Sequence, residues 1–136
     1  NTYTSSVVLP LANGSRTDVL GVGIEAIPAY NSYHIKGTGN GYVVTMGGRR
    51  LYISGDTGNI PDMRALTDID VAFVCMNLPW TMSVNDATAA VRAFQPRVVY
   101  PYHFKDPSSG NSANLVQFRQ KVGTDLGIEV RVRKWY

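Results

Sequence analysis

The chain predicts an α/β fold, a mixed sheet with helices on one face, and three observations carry that expectation. Strand-like segments come first in the sequence; after about residue 60, strands and helices alternate, the order of a sheet covered by helices. Tyr42 to Met46 and Arg50 to Ser54 are strand-like runs joined through Gly47-Gly48, the pattern of a hairpin. Ala87, Ala90, Val91 and Phe94 recur at helical spacing, as do Leu115, Phe118 and Val122, so two helices each have an apolar stripe to bury.

In chain order, Ser5 to Leu11 is a short apolar strand candidate and Asn13-Gly14 a turn. Val19 to Ile27 alternates apolar and polar residues and reads as one strand ending at Pro28. Asn31 to Gly41, rich in glycine and polar residues, is a loop. After the hairpin, Gly55-Asp56-Thr57-Gly58 follows the strand end directly. Pro61 suits a first helical position, because its fixed φ is helical and its missing N–H is not needed there. A short helix therefore runs to about Leu66, with Asn59 or Ile60 just before it. Ile69 to Met76 is an apolar run, the mark of a strand buried on both faces. Ser83-x-x-Asp86 resembles a capping box and starts a helix that Pro96 stops after Phe94. Arg97 to Pro101 is a strand leading into Tyr102-His103-Phe104, Ser112 caps a second helix, and Ile128 to Val132 is the last strand.

The 136 residues are enough for one domain, 1–136, and a content of 44% hydrophobic and 17% charged residues argues against disorder. The net charge of +3 is scattered along the chain. Its densest group, Arg131, Arg133 and Lys134, alternates with Val130, Val132 and Trp135, as on the exposed side of a strand. Without the aromatic platforms that single strands stack on, no nucleic-acid partner is expected. No run reaches the roughly 18 apolar residues of a membrane span, so no membrane partner is expected either. Cys75, the single cysteine, excludes an intrachain disulfide and a cysteine zinc cluster. Lying within Val71 to Met76, it is expected to be buried, inert and on a different face from any site.

Asp56 and His103 are the residues most suited to chemistry. Asp56 closes a strand between Gly55 and Gly58, which let the backbone turn and aim a carboxylate off the sheet. His103 closes the strand Arg97 to Pro101. Ligands of open α/β sheets gather at the carboxyl ends of strands, so the two should meet there. A carboxylate and an imidazole suit zinc, iron or manganese. His34, in the glycine-rich loop, is the remaining histidine. Two ligands make half a site, since zinc sites normally need at least three from protein.

The segments Gly23 to Asn31, His34 to Tyr42, Leu51 to Gly58, Asp70 to Met82 and Pro96 to Phe104, in that order and spacing, resemble the second half of a metallo-beta-lactamase-fold hydrolase. The likeness is greatest to the bacterial and archaeal branch carrying Pro28-Ala29-Tyr30-Asn31. The resemblance implies the C-terminal half of a four-layer αββα sandwich. It implies zinc or another divalent transition metal as cofactor, with Asp56 bridging two metals as ligand and catalytic residue and His103 ligating the second. It also implies a histidine where this chain has Asn31, and an upstream His-x-His-x-Asp-His cluster that this chain lacks.

Two readings follow. In one, the chain is a fragment of an enzyme that hydrolyses an ester, amide or phosphoester bond of a small molecule, inactive without the missing N-terminal half. In the other it is a non-catalytic half-domain used for binding or assembly. Asp56-Thr57-Gly58 is also the triplet of aspartic proteases, but Ser54-Gly55 before it and Asn59-Ile60-Pro61 after it do not match that setting. On the enzyme reading, Asp56 and His103 should lie about 4–6 Å apart as ligands of neighbouring metals. One sheet face, carrying residues such as Tyr52, Val71, Phe73 and Val99, should then meet a partner: the N-terminal half or a second copy of the chain.

Overall fold

The computed structural model describes residues 8–106 and 109–134. Its seven strands form one sheet in which spatial order follows chain order: β1 (Arg16–Val19), β2 (Val22–Ala29), β3 (Gly39–Met46), β4 (Arg49–Ile53), β5 (Val71–Cys75), β6 (Val98–Tyr102) and β7 (Glu129–Val130). The first four strands pair antiparallel, and from β4 onward all neighbours pair parallel. Helices α1 (Pro61–Arg64), α2 (Val84–Phe94) and α3 (Leu115–Val122) fill the crossovers of this parallel part. The mixed α/β sheet is thus the one the sequence predicts.

Two hairpins build the antiparallel part. Gly47 (φ 55°) and Gly48 (φ 73°) make the two-residue turn between β3 and β4, whose strands begin pairing at Met46 and Arg49. A turn with positive φ at both positions matches the twist of the strands it joins. Leu20 (φ 53°) and Gly21 (φ 80°) do the same between β1 and β2. The expected single strand Val19 to Ile27 is therefore two strands with a turn at its start. Leucine is an unusual residue for that turn; Asp18 supports it by accepting a 2.9 Å hydrogen bond from the Gly21 amide. Nor does β2 stop at Pro28, which pairs with Asn40 of β3. The segment leading into β1 bonds to β2 as far as Ala26, so beyond it the missing proline N–H faces an unpaired edge. Of the expected strand Ser5 to Leu11, residues 5–7 lie outside the described residues, and Val8 to Leu11 are irregular and largely exposed.

Helix α2 starts as its sequence requires. Ser83 Oγ accepts from the Asp86 amide (3.0 Å) and donates to the Asp86 carboxylate (2.6 Å). The cap of α3 is Asn114, whose side chain accepts from the Gln117 amide at 2.9 Å, and not Ser112. Both residue types can cap, and Asn114 is the one directly before the first helical residue. Ser112 instead sits in a bridge with Lys105.

Cross-strand partners point to the same side of a sheet. One row of partners runs Val43, Tyr52, Ala72, Val99, Val130, and all five are buried. They share a single core with Ala87, Ala90, Val91 and Phe94 of α2 and Phe118 and Val122 of α3. Tyr52 and Phe94 meet edge to face at 5.8 Å between ring centres. The other side carries Ile24, Val44, Leu51, Ile53, Val71, Phe73, Val98 and Tyr100, and none of these is buried. The expected partner face of Tyr52, Val71, Phe73 and Val99 is thus split between two sides. Tyr52 pairs with Ala72, so Val71 and Phe73 must point the other way. For the same reason β5 is buried on the helix side at Ala72 and Val74, while on the other side Val71 and Phe73 are only partly covered and Cys75, at the strand end, is buried.

The helix-side core sets the stability of the chain. Phe118→Ala, at a site with no exposure, should cost about 3–5 kcal/mol from lost burial and the cavity left behind. Val116→Ala, on the exposed side of the same helix, should change stability by no more than about 0.5 kcal/mol. Urea denaturation of the two variants measures both.

Candidate metal centre

Parallel pairing of β4, β5 and β6 brings their carboxyl ends to one edge of the sheet. At the end of β4 the Ser54 amide still donates to Phe73 O (3.0 Å), and the chain then turns at Gly55, where φ is 63°. A Cβ at Gly55 would sit 2.6 Å from Asn40 O, so only glycine fits that turn. Beyond Asp56, Thr57 is fully buried and Gly58 donates to Tyr30 O at 2.8 Å. Asp56 is held between these two anchors.

His103 follows β6 directly, with φ 48°. Its Nδ1 lies 2.9 Å from Asp56 Oδ1. The side chains are 35% and 40% exposed, so the pair opens to solvent. The structure brings these two residues closer than the 4–6 Å expected for ligands of separate metals.

Beneath the pair runs a network that the sequence did not reveal. Buried Ser54 Oγ accepts from the Cys75 amide (3.1 Å) and lies 3.4 Å from the Tyr102 hydroxyl. Cys75 Sγ contacts Thr57 O at 3.5 Å. Cys75 is buried as expected, but it lies under the segment that carries Asp56 and not away from it. Its register explains this, since Cys75 pairs with Tyr102, the residue before His103. Burial pushes the Cys75 thiol up, so the nucleophilic thiolate is disfavoured. Burial likewise pushes Tyr102 up to about 12.

Asn31 and His34 do not join the pair. Asn31 Oδ1 accepts from the amides of Tyr33 (2.8 Å) and His34 (3.0 Å), and its Nδ2 donates to Trp80 O (2.9 Å). His34 Nδ1 lies 3.1 Å from Asn31 Oδ1. Asn31 is a turn former whose side chain is already committed. A larger cavity, about 540 Å³ between α3 and β7 and lined by residues such as Arg119, Gly123 and Val130, holds neither Asp56 nor His103.

The profile of the Beta-lactamase superfamily domain matches residues 4–104. The chain belongs to that superfamily. Among its relatives is a UPF0173 metal-dependent hydrolase of Pyrococcus abyssi, 34% identical over 127 residues, which cover 87% of this chain and 56% of the relative. A UPF0173 metal-dependent hydrolase of Deinococcus radiodurans is 36% identical over 98 residues, covering 71% of this chain and 42% of that one. Among solved structures, Igni18, a metallo hydrolase of Ignicoccus hospitalis, superposes with TM-score 0.79 at 26% identity, over 93% of this chain and 57% of Igni18. A Parabacteroides distasonis protein assigned as a metal-dependent hydrolase superposes with TM-score 0.82 at 41% identity, over 90% of this chain and 56% of that one. The chain spans about half the length of the relatives it matches.

A metal is what the superfamily implies, and the donor pair can be tested against it. Metal bonds of about 2.0–2.2 Å at tetrahedral angles put two donor atoms roughly 3.4 Å apart. Asp56 and His103, hydrogen-bonded to each other at 2.9 Å, lie a little closer than that, and a carboxylate with an imidazole is a suitable donor set. Among the described residues no third His, Cys, Asp or Glu completes a group with them. The pair therefore fits two positions of a coordination shell and leaves the others to be filled.

The network below the pair has a consequence for alkaline stability. A tyrosine whose folded pKa is raised contributes stability that is whole below its free value of 10.0 and is lost as pH climbs towards about 12. Stability should accordingly fall above pH 10, and Tyr102→Phe should make that fall shallower. Urea midpoints measured from pH 8 to 12 provide the check.

Proposed function

We propose that this chain is the C-terminal half of a metal-dependent hydrolase and that Asp56 and His103 are two of its metal ligands. The 2.9 Å approach of a carboxylate and an imidazole from the ends of two parallel strands carries the reading. A divalent transition metal, zinc or another, would lower the pKa of a bound water towards ~7 and polarise the ester, amide or phosphoester bond of a small-molecule substrate. Asp56 holds its carboxylate at the edge because Gly55 and Thr57 fix the backbone on either side. It would hold one side of the metal's shell. His103 presents a ring nitrogen next to it. The remaining ligands come from the rest of the protein.

The second face of the sheet supports a partner for the chain. Ile24, Val44, Leu51, Ile53, Val71 and Phe73 lie on it without full cover, and Ile53 is 40% exposed. Soluble monomers rarely leave contiguous apolar patches beyond a few hundred Å². A second sheet packed about 10 Å away would cover these residues and give the four-layer αββα sandwich of which this chain is half. That sheet comes from the N-terminal half or from a second copy. One observation favours a non-catalytic half-domain for this chain by itself, the presence of only two candidate ligands among the described residues.

Metal content decides the ligand assignment. In the full-length protein, Asp56→Ala and His103→Ala should each lower zinc occupancy and hydrolysis by about tenfold or more. Full occupancy in both variants, measured by elemental analysis, would sink the assignment. The 136-residue chain by itself should turn over no ester or phosphodiester; robust activity abolished by Asp56→Ala would contradict the half-site reading.

The partner face has its own test. The isolated chain should associate at low micromolar concentration, and Phe73→Lys, which places a charge on the open face, should weaken that association. A 14.9 kDa monomer by light scattering that binds no hydrophobic dye would show that the face needs no partner.

A further inference from the structure

The amino ends of β4, β5 and β6 lie at the edge of the sheet opposite to Asp56 and His103, and a cavity of about 380 Å³ opens there. Its walls include Arg49, Arg50, Asp68, Asp70, Gln95 and Arg97. Backbone hydrogen bonds fix the strand starts to one another. Asp70 donates to Arg50 O (2.9 Å), Arg97 to Ile69 O (3.0 Å) and Val98 to Asp70 O (3.0 Å). Asp70 thus sits between the two arginines that begin β4 and the one that leads into β6.

That carboxylate is already committed. Asp70 Oδ1 accepts from Arg49 Nη1 and Oδ2 from the Arg50 backbone amide, both at 2.9 Å. Arg50 is left over. It is half-buried and its Nε is enclosed, yet its guanidinium makes no hydrogen bond or ion pair among the described residues. Glu25 lines a smaller cavity with Arg50, but its carboxylate holds Arg16 at 2.8 Å. Asp68 is exposed and forms no ion pair with the three arginines among the described residues. The C-terminal end of α2 reaches the cavity at Gln95, and its partial charge of about one half does not balance a full positive one. A charge drawn partly out of water without a counter-charge is unfavourable, and an anion in the cavity would supply one.

The donors limit the ligand. A guanidinium presents N–H groups in a planar fork and no acceptor, so its partner is an oxyanion. Three arginines against two aspartates leave the walls with one positive charge in excess. Arg97 Nη1 stands 3.8 Å from Asp70 Oδ1, too far for a hydrogen bond, and its side chain is 77% exposed. Its donors can therefore turn to a ligand beside Arg50. Two forks meeting one anion suit a phosphoryl group, with three oxygens to share, better than a carboxylate with two. The volume is at the low end of the roughly 300–1,000 Å³ of small-molecule pockets, enough for that group and a small part of the molecule that bears it.

We propose that this cavity binds the phosphoryl group of a small molecule between Arg50 and Arg97, at the sheet edge opposite to the metal pair. The site needs neither the metal nor turnover, so it stands or falls apart from the hydrolase reading. The test titrates the full-length protein with inorganic phosphate at constant ionic strength. Nuclear magnetic resonance follows the Nε–Hε signals of Arg50 and Arg97 and the imidazole of His103. Phosphate should shift both arginine signals saturably, and acetate should bind there more weakly. Arg50→Gln should weaken phosphate binding by about tenfold or more. Arg50→Lys, which keeps the charge and loses the fork, should weaken it less. If Arg50→Gln does not fold, Arg97→Gln, at an exposed position, takes its place and should also weaken binding. Arginine shifts that chloride reproduces, a phosphate response at His103 alone, acetate binding as tight as phosphate, or unchanged affinity in the glutamine variants would each overturn the proposal.

Discussion

The parallel register of β4, β5 and β6 makes three strand ends converge at one edge, and the position of every reactive group follows from it. Ladder bonds extend past the strands themselves, with Ser54 donating to Phe73 O and Met76 to Tyr102 O. The segments carrying Asp56, Asn77 and His103 thus leave the sheet side by side. Ser54 is the joint between them. Its buried hydroxyl accepts from the Cys75 amide and lies within reach of Tyr102, so the ends of all three strands are linked through one atom. Such a buried, satisfied polar network fixes geometry in a way that apolar packing alone does not.

The two faces of the sheet differ in how far they are covered. On the helix side, the row from Val43 to Val130 meets α2 and α3 in one core. On the other side, apolar residues of the same strands stay incompletely covered, and Phe73 and Tyr100 stack on each other at 5.3 Å between ring centres. At ~25 cal/mol per Å² of apolar surface removed from water, each of these residues would gain from further cover.

Much of this was legible in the sequence, and the rest was hidden for identifiable reasons. The Gly47-Gly48 hairpin, the capped helix α2 and the closing positions of Asp56 and His103 all leave strong local marks, because each depends on residue types with special backbone or capping preferences. The Leu20-Gly21 turn leaves only half such a mark, so β1 and β2 read as one strand. Pro28 read as a terminator because its tolerance depends on an unpaired edge, a fact of the tertiary structure. Which side of β4 and β5 faces the helices is fixed by the pairing of Tyr52 with Ala72, and a period of two cannot supply that phase.

Backbone strain separates His103 from the other irregular positions. Among the described residues, four that are not glycine have positive φ: Leu20, Asp68, Gln95 and His103. Leu20 belongs to a hairpin turn whose geometry requires it, Gln95 caps the end of α2, and Asp68 is of a residue type that tolerates this region. Histidine, like aspartate, is among the residue types enriched in this region, but His103 directly follows a strand. A histidine held there costs on the order of 1–3 kcal/mol and persists only where its surroundings over-determine it. Here they do: Met76 bonds to Tyr102 O before it, and Ala113 bonds to Phe104 O after it. An extended backbone at this position would continue β6 and carry the imidazole along the strand. The turn at φ 48° brings it back across the sheet edge to Asp56, so the strain is the cost of forming the pair.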